Sequence, residues 1–277
     1  MKKWIFIFVM MIFPFCSFAE EEHRMSGDDC GEHCSWKIED GVLTIKGYGE
    51  MYNYVHNDNF TTSAPWGWQQ YKVNKVVIQN ESDTNKFTSI GNYAFCDMLS
   101  ISEFVLPEGI EKIGALSFNT SGVQKINLPD SLKEIGTQAF GWNSNLKDIE
   151  LPEGLEKIAY RAFVNTGITT LTVPQSVEDL DAQFLGSFSS EDYERTPLIK
   201  LYCASELEAT CENATAYRKG LADVQTYEKK GGLYEVGGVS YRGINQLQKG
   251  VPVKRIYTVD EANQASGKKN SVMIRYK

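Results

Sequence analysis

Histidine is scarce in this sequence, and it occurs only near one end. The chain has three histidines, His23, His33 and His56, and none follows residue 56. A Ser–His or Cys–His pair therefore cannot form wholly within the region after residue 56. No phosphate-binding loop and no Rossmann glycine pattern is present either. These absences favour a protein that is not an enzyme and that has no cofactor.

Long apolar runs are also missing, apart from one at the start. Lys2 and Lys3 precede an uncharged, largely apolar run over residues 4–15, and Ser17–Ala19 follows. A basic start, a short apolar core and small residues before the cleavage point are typical of a secretory signal peptide, predicted here over residues 1–19. An N-terminal membrane anchor is the alternative, but the run is short for a bilayer span. We expect a secreted or cell-surface protein.

Cysteine is sparse, and its spacing suggests disulfides. Export permits disulfide formation, and two pairs lie close enough in sequence to form: Cys30 with Cys34, and Cys203 with Cys211. Cys96 is left over beside apolar residues and is interpreted as a buried small hydrophobe. A reactive thiol is the alternative. A zinc site at residues 30–34 lacks a fourth ligand at the usual spacing, so no metal is expected.

Positive charge is deficient everywhere except at the C-terminal end. Without the two lysines of the signal peptide, the 28 Lys and Arg fall to 26 against 36 Asp and Glu, a net charge of −10. Residues 228–277 contain ten basic and four acidic residues, a net charge of +6. The acidic body argues against nucleic-acid binding. The basic end is interpreted as a segment that complements the acidic body or as a solvated cap. Peripheral contact with acidic envelope polymers and a sorting signal for the cell surface are the alternatives.

A repeat dominates the middle of the chain. Leu-Pro or Val-Pro pairs begin at residues 106, 128, 151 and 173, and Ile-Gly or Ile-Ala pairs begin at residues 90, 113, 135 and 158. The phenylalanines at 95, 118, 140 and 163 keep the same rhythm. This period lies in the leucine-rich-repeat range. Partial repeats at residues 73–78 and 198–203 bring the expected parallel strands to six, and the recurrent glycine is interpreted as permitting a tight bend.

The repeat unit, Ile-Gly-x-x-Ala-Phe followed by Leu-Pro, resembles the BspA-like leucine-rich repeats of bacterial and some protist surface proteins. Residues 30–49 together with Pro65 and Trp66 resemble the N-terminal cap of that family. The resemblance covers about residues 30–205 and implies a secreted or surface-displayed solenoid, often used for adhesion to host proteins or other cells. It implies no catalytic residues.

The predicted fold class is α+β to mostly β. It is a leucine-rich-repeat solenoid with parallel strands, an N-terminal β cap and a small C-terminal α+β module. The predicted domains are the signal peptide (1–19), the cap (20–72), the repeats (73–227) and the basic C-terminal module (228–277). Trp36, Ile38, Val42, Thr44 and Lys46, alternating around Asp40-Gly41, predict a β-hairpin in the cap. A second hairpin is predicted around Gly237-Gly238.

Strand alternation places rows of side chains on the surface. In the charged rows, signs alternate along much of the array, which favours ladders that stabilise stacking; a recognition strip is the alternative. The cap aromatics are interpreted as packing on the first repeat, with an exposed platform for glycans or peptides as the alternative. The candidate binding residues are Tyr52, Tyr54, Trp66 and Trp68 in the cap, and Thr170, Thr172, Phe188, Tyr193 and Tyr202 at and beside the 186–197 insertion.

The function that these features favour is non-enzymatic binding of a protein or glycan ligand, that is, adhesion by a secreted or surface-displayed protein. One alternative is a structural cell-envelope protein anchored through residues 228–277. Another is a glycan-acting enzyme, which would need a cleft with two facing carboxylates.

Overall fold

The computed structural model describes residues 25–56, 62–186, 198, 200–217, 222–230, 233–236 and 239–242. The predicted signal peptide, most of the 186–197 insertion and the last part of the basic module lie outside these residues. Within them the chain is a solenoid of short parallel strands with a β cap at its N-terminal end, so the predicted fold class is confirmed.

The cap is built on an antiparallel hairpin. Its strands are β1 (Ser26–Gly27), β2 (Gly31–Glu39) and β3 (Val42–Met51). Asp40 and Gly41 have φ values of 48° and 79° and form the two-residue turn, as expected for a tight hairpin with an Asp-Gly turn. The hairpin prediction is confirmed.

The two long hairpin strands bury one common face. Trp36 pairs with Ile45 and Ile38 with Leu43, and all four side chains are buried. Val42, Thr44 and Lys46 lie on the outer face. A two-residue turn pairs residues that are equidistant from it, which fixes this register.

Two stacks of parallel strands begin at β3. Its first half pairs with β4 and its second half with β5. The first stack continues through β4 (Lys75–Asn80), β6 (Glu103–Val105) and β8 (Lys125–Asn127). The second stack consists of β5 (Phe87–Ile90), β7 (Lys112–Ile113), β9 (Glu134–Ile135), β10 (Lys157–Ile158) and β12 (Asp179–Leu180).

The first stack is interrupted and then resumes. β11 (Thr170–Thr172), β13 (Lys200–Ala204) and β14 (Asp223–Lys230) pair in parallel in that order. Of the six predicted strands, the one at residues 148–150 is not formed. Ile149 is still buried between exposed Asp148 and Glu150, so the side chains alternate as in a strand although the strand itself is absent.

An aromatic stack runs along the core of the solenoid. The ring centroids of Phe95, Phe118, Phe140 and Phe163 lie 5.3–5.6 Å apart, with neighbouring ring planes within 19° of parallel. Trp66 of the cap stacks on Phe95 at 5.7 Å. Aromatic pairs at such distances gain about 0.5–1.5 kcal/mol beyond area burial. The repeat period therefore places one ring per coil on a common axis, and the cap supplies the first ring.

The recurrent glycine has a different role from the predicted one. Gly91, Gly114 and Gly136 do not have positive φ values, so they do not permit a special bend. A Cβ at Gly114 would lie 2.7 Å from the Asn92 backbone nitrogen, and one at Gly136 would lie 2.8 Å from that of Ala115. The glycines are thus required by the close approach of the preceding coil, which is a property of stacking.

Each core phenylalanine is flanked by non-glycine residues in the left-handed backbone conformation, which the sequence does not predict. Two residues before and two residues after it, φ is 52–62° in every full repeat, at Tyr93, Leu116, Gln138, Arg161, Asp97, Thr120, Trp142 and Asn165. Such a conformation costs about 1–2 kcal/mol for a non-glycine residue. Hydrogen bonds between coils offset this cost: the amides of Tyr93, Phe95 and Asp97 donate to the carbonyls of Ala115, Ser117 and Asn119.

The C-terminal end of the repeats is closed by helix α1 (Glu208–Tyr217), whose Cys211 and Ala214 are buried. The Tyr227 hydroxyl donates to the Val173 carbonyl, which fixes β14 on the array. β15 (Leu233–Val236) and β16 (Val239–Arg242) then pair antiparallel, so the second predicted hairpin is formed. β14 crosses the predicted domain boundary at residue 227, and the described start of the basic module therefore continues the repeat sheet.

Two disulfides lie at opposite ends of the array. Cys30 pairs with Cys34 at the start of β2, and Cys203 on β13 pairs with Cys211 on α1. Cys96 is buried with a free thiol. Among the described residues, no helix is both long and apolar enough to cross a bilayer.

Candidate functional site

Trp66 has no surface available for a ligand. Its side chain is fully buried, and its indole Nε1 donates to the Ala94 carbonyl at 2.8 Å. Trp36 and Tyr54 contact its ring edge-on, at 5.9 and 5.7 Å between centroids. The proposal of an exposed platform is wrong for this residue. Trp66 covers the open end of the core, which otherwise would expose the Phe95 ring.

The remaining cap candidates are only partly accessible. Trp68 is half-buried and its Nε1 donates to the Pro65 carbonyl at 2.8 Å. Tyr54 is half-buried, and its hydroxyl is buried without a hydrogen-bond partner among the described residues. Burial, reinforced by the nearby Asp29, raises the pKa of the Tyr54 hydroxyl above its ordinary value. Among the described residues of the cap, the large aromatic side chains that are exposed are Tyr52 (50%) and Tyr71 (71%).

Charged side chains form ladders across neighbouring coils. The ion pairs are Lys75–Glu103 (3.1 Å), Lys112–Glu134 (3.1 Å), Lys133–Glu156 (2.8 Å) and Lys157–Asp179 (2.8 Å). The hydrogen bond from Lys157 to Asp179 raises the pKa of its ammonium group. Each pair joins equivalent positions of adjacent coils. This geometry supports the interpretation that the alternating charges stabilise stacking, since the groups already have partners within the molecule.

A second row on the first stack is almost free of charge. Strand register places Thr44 beside Val77, Val77 beside Val105, and Val105 beside Asn127. After the interruption, Thr172 lies beside Tyr202 and Tyr202 beside Gln225. We call these seven residues the uncharged row. Glu150 occupies the equivalent position at the interruption, where partial burial, and after it the neighbouring Asp148, raises the pKa of its carboxyl.

The N-terminal end of the uncharged row opens into a shallow groove of about 590 Å³. The residues that line it are mostly polar and include two lysines. They are Ser26, Gly27, Asp28, Ser35, Trp36, Lys37, Thr44, Lys46 and Gln79. The groove lies on the outer face of the cap hairpin. It offers hydroxyl, amide and ammonium groups on a flat sheet surface.

The C-terminal candidates lie at the other end of the same face. Thr172 and Tyr202 are partly exposed members of the uncharged row. Thr170 is exposed two residues earlier on β11, beside Lys200. The structure therefore brings Thr170, Thr172 and Tyr202 together, as strand stacking predicts. Phe188 and Tyr193 lie outside the described residues.

A cluster that the sequence did not reveal lies between the cap and the first repeat. His56 Nε2 is 2.8 Å from Asp97 Oδ2, and the Cys96 thiol donates to the same oxygen at 3.2 Å. The three candidate ligand atoms lie within 4.8 Å of one another. Burial, followed by the Asp97 charge, raises the pKa of the Cys96 thiol. Because the thiol donates to the carboxylate and not to the imidazole, the arrangement is not a Cys–His nucleophile pair.

Sequence comparison identifies the repeats. A family model described as "BspA type Leucine rich repeat region" matches residues 69–190 in six copies. No match is found among curated proteins.

Comparison of structures finds bacterial leucine-rich-repeat proteins. A leucine-rich repeat protein from Eubacterium ventriosum is similar at a TM-score of 0.50, with 18% identity over 76% of this chain and 48% of its own. A leucine-rich cell surface protein from Faecalibacterium prausnitzii is 13% identical, with 80% of this chain and 59% of its own covered and a TM-score of 0.38. The chain thus spans about half the length of these relatives, and the likeness shows the fold alone.

Proposed function

This chain is a BspA-type leucine-rich repeat protein over residues 69–190, and from that premise we propose that it is a non-enzymatic, exported protein that binds a protein or glycan ligand. The binding surface is the uncharged row of the first stack, from the cap groove to Thr172, Tyr202 and Gln225. Adhesion at the cell surface is the role that such binding serves in this proposal.

The observation that carries the proposal is the contrast between the rows. Eight charged side chains form four ion pairs between neighbouring coils, so the protein itself provides partners for these groups. The uncharged row has no such pairing between charges, and it offers hydroxyl, amide and apolar groups instead. A ligand covering it avoids the cost of desolvating charged groups, which are depleted at the centres of protein interfaces.

The shape of this surface favours an extended ligand. Parallel strands are about 4.8 Å apart, so the eight positions from Thr44 to Gln225 extend over about 35 Å. A peptide strand or a glycan chain can contact several of these positions at once. Specificity then comes from the few side chains that differ between coils, Asn127 and Tyr202 among them.

The basic module complements the acidic body in this proposal. Its Lys229 forms an ion pair with Glu153 of the repeats, and β14 carries it directly onto the sheet. These contacts support a closing element of the solenoid. They give the anchored cell-envelope alternative no support beyond the charge of the segment.

The test begins with panels of proteins and glycans applied to the purified chain. For a ligand found there, Thr172→Arg places a long charged side chain in the uncharged row. Thr88→Arg makes the same change at an exposed position of the second stack. We expect Thr172→Arg to weaken binding at least about tenfold, the equivalent of about 1.4 kcal/mol, and Thr88→Arg to leave the affinity unchanged. Equal losses in both variants, or no ligand in either panel, would contradict the proposal.

A further inference from the structure

We propose that His56, Cys96 and Asp97 bind one divalent transition-metal ion, with Zn²⁺ as the best chemical match, at the joint between the cap and the first repeat. This site is separate from the uncharged row, so it goes beyond the proposed function. Its role is to fasten the segment that ends the cap to the coil on which the cap packs.

The donor atoms are those that Zn²⁺ prefers. A thiolate sulfur, an imidazole nitrogen and a carboxylate oxygen are its usual protein ligands, at about 2.3, 2.0–2.1 and 2.0–2.2 Å respectively. A tetrahedral ion with those bond lengths separates its ligand atoms by about 3.3–3.6 Å. The observed separations are 2.8 Å from His56 Nε2 to Asp97 Oδ2 and 3.2 Å from Cys96 Sγ to that oxygen. Small side-chain movements therefore suffice to admit the ion.

The fold places these ligands together only once. Cys96 and Asp97 follow the core Phe95 directly, and the corresponding pairs in the next repeats are Asn119-Thr120, Gly141-Trp142 and Val164-Asn165. The Cys-Asp pair thus occurs only in the coil that meets the cap histidine. Asp97 has φ 59°, and its amide bonds the Asn119 carbonyl. The left-handed turn of the repeat therefore fixes the backbone that carries the carboxylate.

The cap side of the site is also held in place. His56 forms a β-bridge with Thr62, and the neighbouring Val55 exchanges hydrogen bonds with Ser63. One residue earlier, the Tyr54 amide donates to the Asn92 carbonyl of the first repeat. His56 is thus positioned by backbone contacts rather than by the ion pair with Asp97 alone, as a preorganised ligand requires.

Charge and proton balance are consistent with a dication. On binding, the Sγ–H bond is replaced by an Sγ–metal bond, and the proton leaves to the solvent. The thiolate and the Asp97 carboxylate together carry two negative charges, which offset the ion, while the neutral His56 imidazole contributes Nε2. The His56 side chain is 39% exposed, so solvent can supply a fourth ligand, as in sites with three protein ligands and one water.

Binding of this ion has a measurable consequence. Anything that binds the folded state alone stabilises it, and the stabilisation grows with the logarithm of the ligand concentration above Kd. This ion bridges residues 40 positions apart in the sequence. Co²⁺ is the suitable probe, because a cobalt–thiolate bond absorbs in the near ultraviolet. Cys96 is the only free cysteine among the described residues. In the chain without the predicted signal peptide, which contains Cys16, such a band therefore reports on this site.

The experiment titrates the metal-free, disulfide-intact protein with Co²⁺ and then displaces the probe with Zn²⁺. We expect one ion per chain, a thiolate absorption band, and a Tm that rises with Zn²⁺ concentration. His56→Gln, an exposed substitution that leaves the core intact, should weaken binding by at least about 10–100-fold, since even outer-sphere partners contribute that much. His33→Gln is the matched control, because His33 is exposed and stacks on Tyr48 at 4.3 Å.

Three results would overturn the proposal. The first is absence of the thiolate band at excess Co²⁺, which would leave a His–Asp hydrogen bond beside a buried thiol. The second is equal affinity in the wild type and in His56→Gln. The third is an equal loss in His33→Gln. Asp97→Asn provides an independent second variant, and melting of each variant in chelator verifies that it folds.

Discussion

The N-terminal and C-terminal halves of this solenoid follow the same repeat with different regularity. From β3 to β8 the first stack is continuous, and a glycine stands after the isoleucine of every coil. Beyond residue 145 a strand is missing at 148–150, Ala159 replaces the glycine, and Leu180-Asp181 replaces Ile-Gly. The core nevertheless persists, because the buried phenylalanines continue to Phe184. Each coil in the C-terminal half thus still buries one phenylalanine ring, although its backbone no longer follows the repeat regularly.

The two ends are closed by different means. The N-terminal end uses Trp66 as a final ring, with a hairpin packed around it, whereas the C-terminal end uses helix α1 and a disulfide to β13. A solenoid needs both, since each terminal coil has one open core face. At the N-terminal end one large side chain covers the core, and the Cys30–Cys34 disulfide lies within the cap itself. At the C-terminal end the disulfide joins the closing helix to the array.

The largest effect is expected for Trp66→Ala. The change removes a fully buried ring, its stacking on Phe95 and its hydrogen bond to Ala94. Aromatic-to-alanine changes in cores cost about 3–5 kcal/mol, and the free energy of unfolding in urea should fall by that amount. A loss below about 1 kcal/mol would contradict the view that Trp66 closes the core, and Trp66→Phe, which retains a ring, should lose less.

Intermediate effects are expected on removal of the disulfides. Loop-closure entropy predicts a loss of about 2 kcal/mol for Cys30→Ala/Cys34→Ala and slightly more for Cys203→Ala/Cys211→Ala, whose closed loop is longer. The separation is four residues in the first pair and eight in the second. Urea unfolding under non-reducing conditions measures both. A larger loss at the N-terminal pair would reverse the comparison, since it would show that the cap depends on its covalent bond.

The smallest effect is expected at the interruption between the halves. Partial desolvation of this surface carboxyl, together with Asp148, raises the pKa of Glu150, so the folded state binds this proton more tightly than the unfolded state does. Ionised Glu150 therefore costs stability above its folded pKa, and that cost disappears as pH falls below the ordinary pKa of glutamate. Glu150→Gln should raise Tm at pH 7, by no more than the equivalent of about 1 kcal/mol for an exposed group. The gain should vanish near pH 3; a gain that persists at that pH would contradict this origin.

The sequence predicts the regular part of the molecule well. Repeated spacing of Ile, Phe and Leu-Pro indicates the coil, the stacking and the inward faces, because burial in a solenoid recurs with the period of the chain. The Asp40-Gly41 turn indicates the cap hairpin. The spacing of the cysteines also indicates two pairs that the structure joins. These features are local, or repeat with a fixed offset, so the linear pattern contains them.

Features that depend on contact between coils are not visible in the same way. Gly114 is required because the Asn92 backbone of the preceding coil leaves no room for a Cβ atom. Trp66 is buried because Phe95 lies where the two rings can stack. Likewise, residues 148–150 have the same sequence pattern as the strands of the neighbouring coils, yet they do not form a strand. The sequence favours core packing for the aromatic residues of the cap, with a binding platform as the alternative. It does not show which of these rings packs on Phe95.

By itself the sequence determined the coil, its period, the inward side chains and the alternating signs of the charged rows. Each is set by residue type at a fixed spacing. The tertiary structure alone decided that Trp66 is the ring that completes the core, which charged side chains of adjacent coils form ion pairs, and that His56 meets Cys96 and Asp97. These outcomes require residues of different coils to share a neighbourhood, and only the packing of the coils establishes which residues do so.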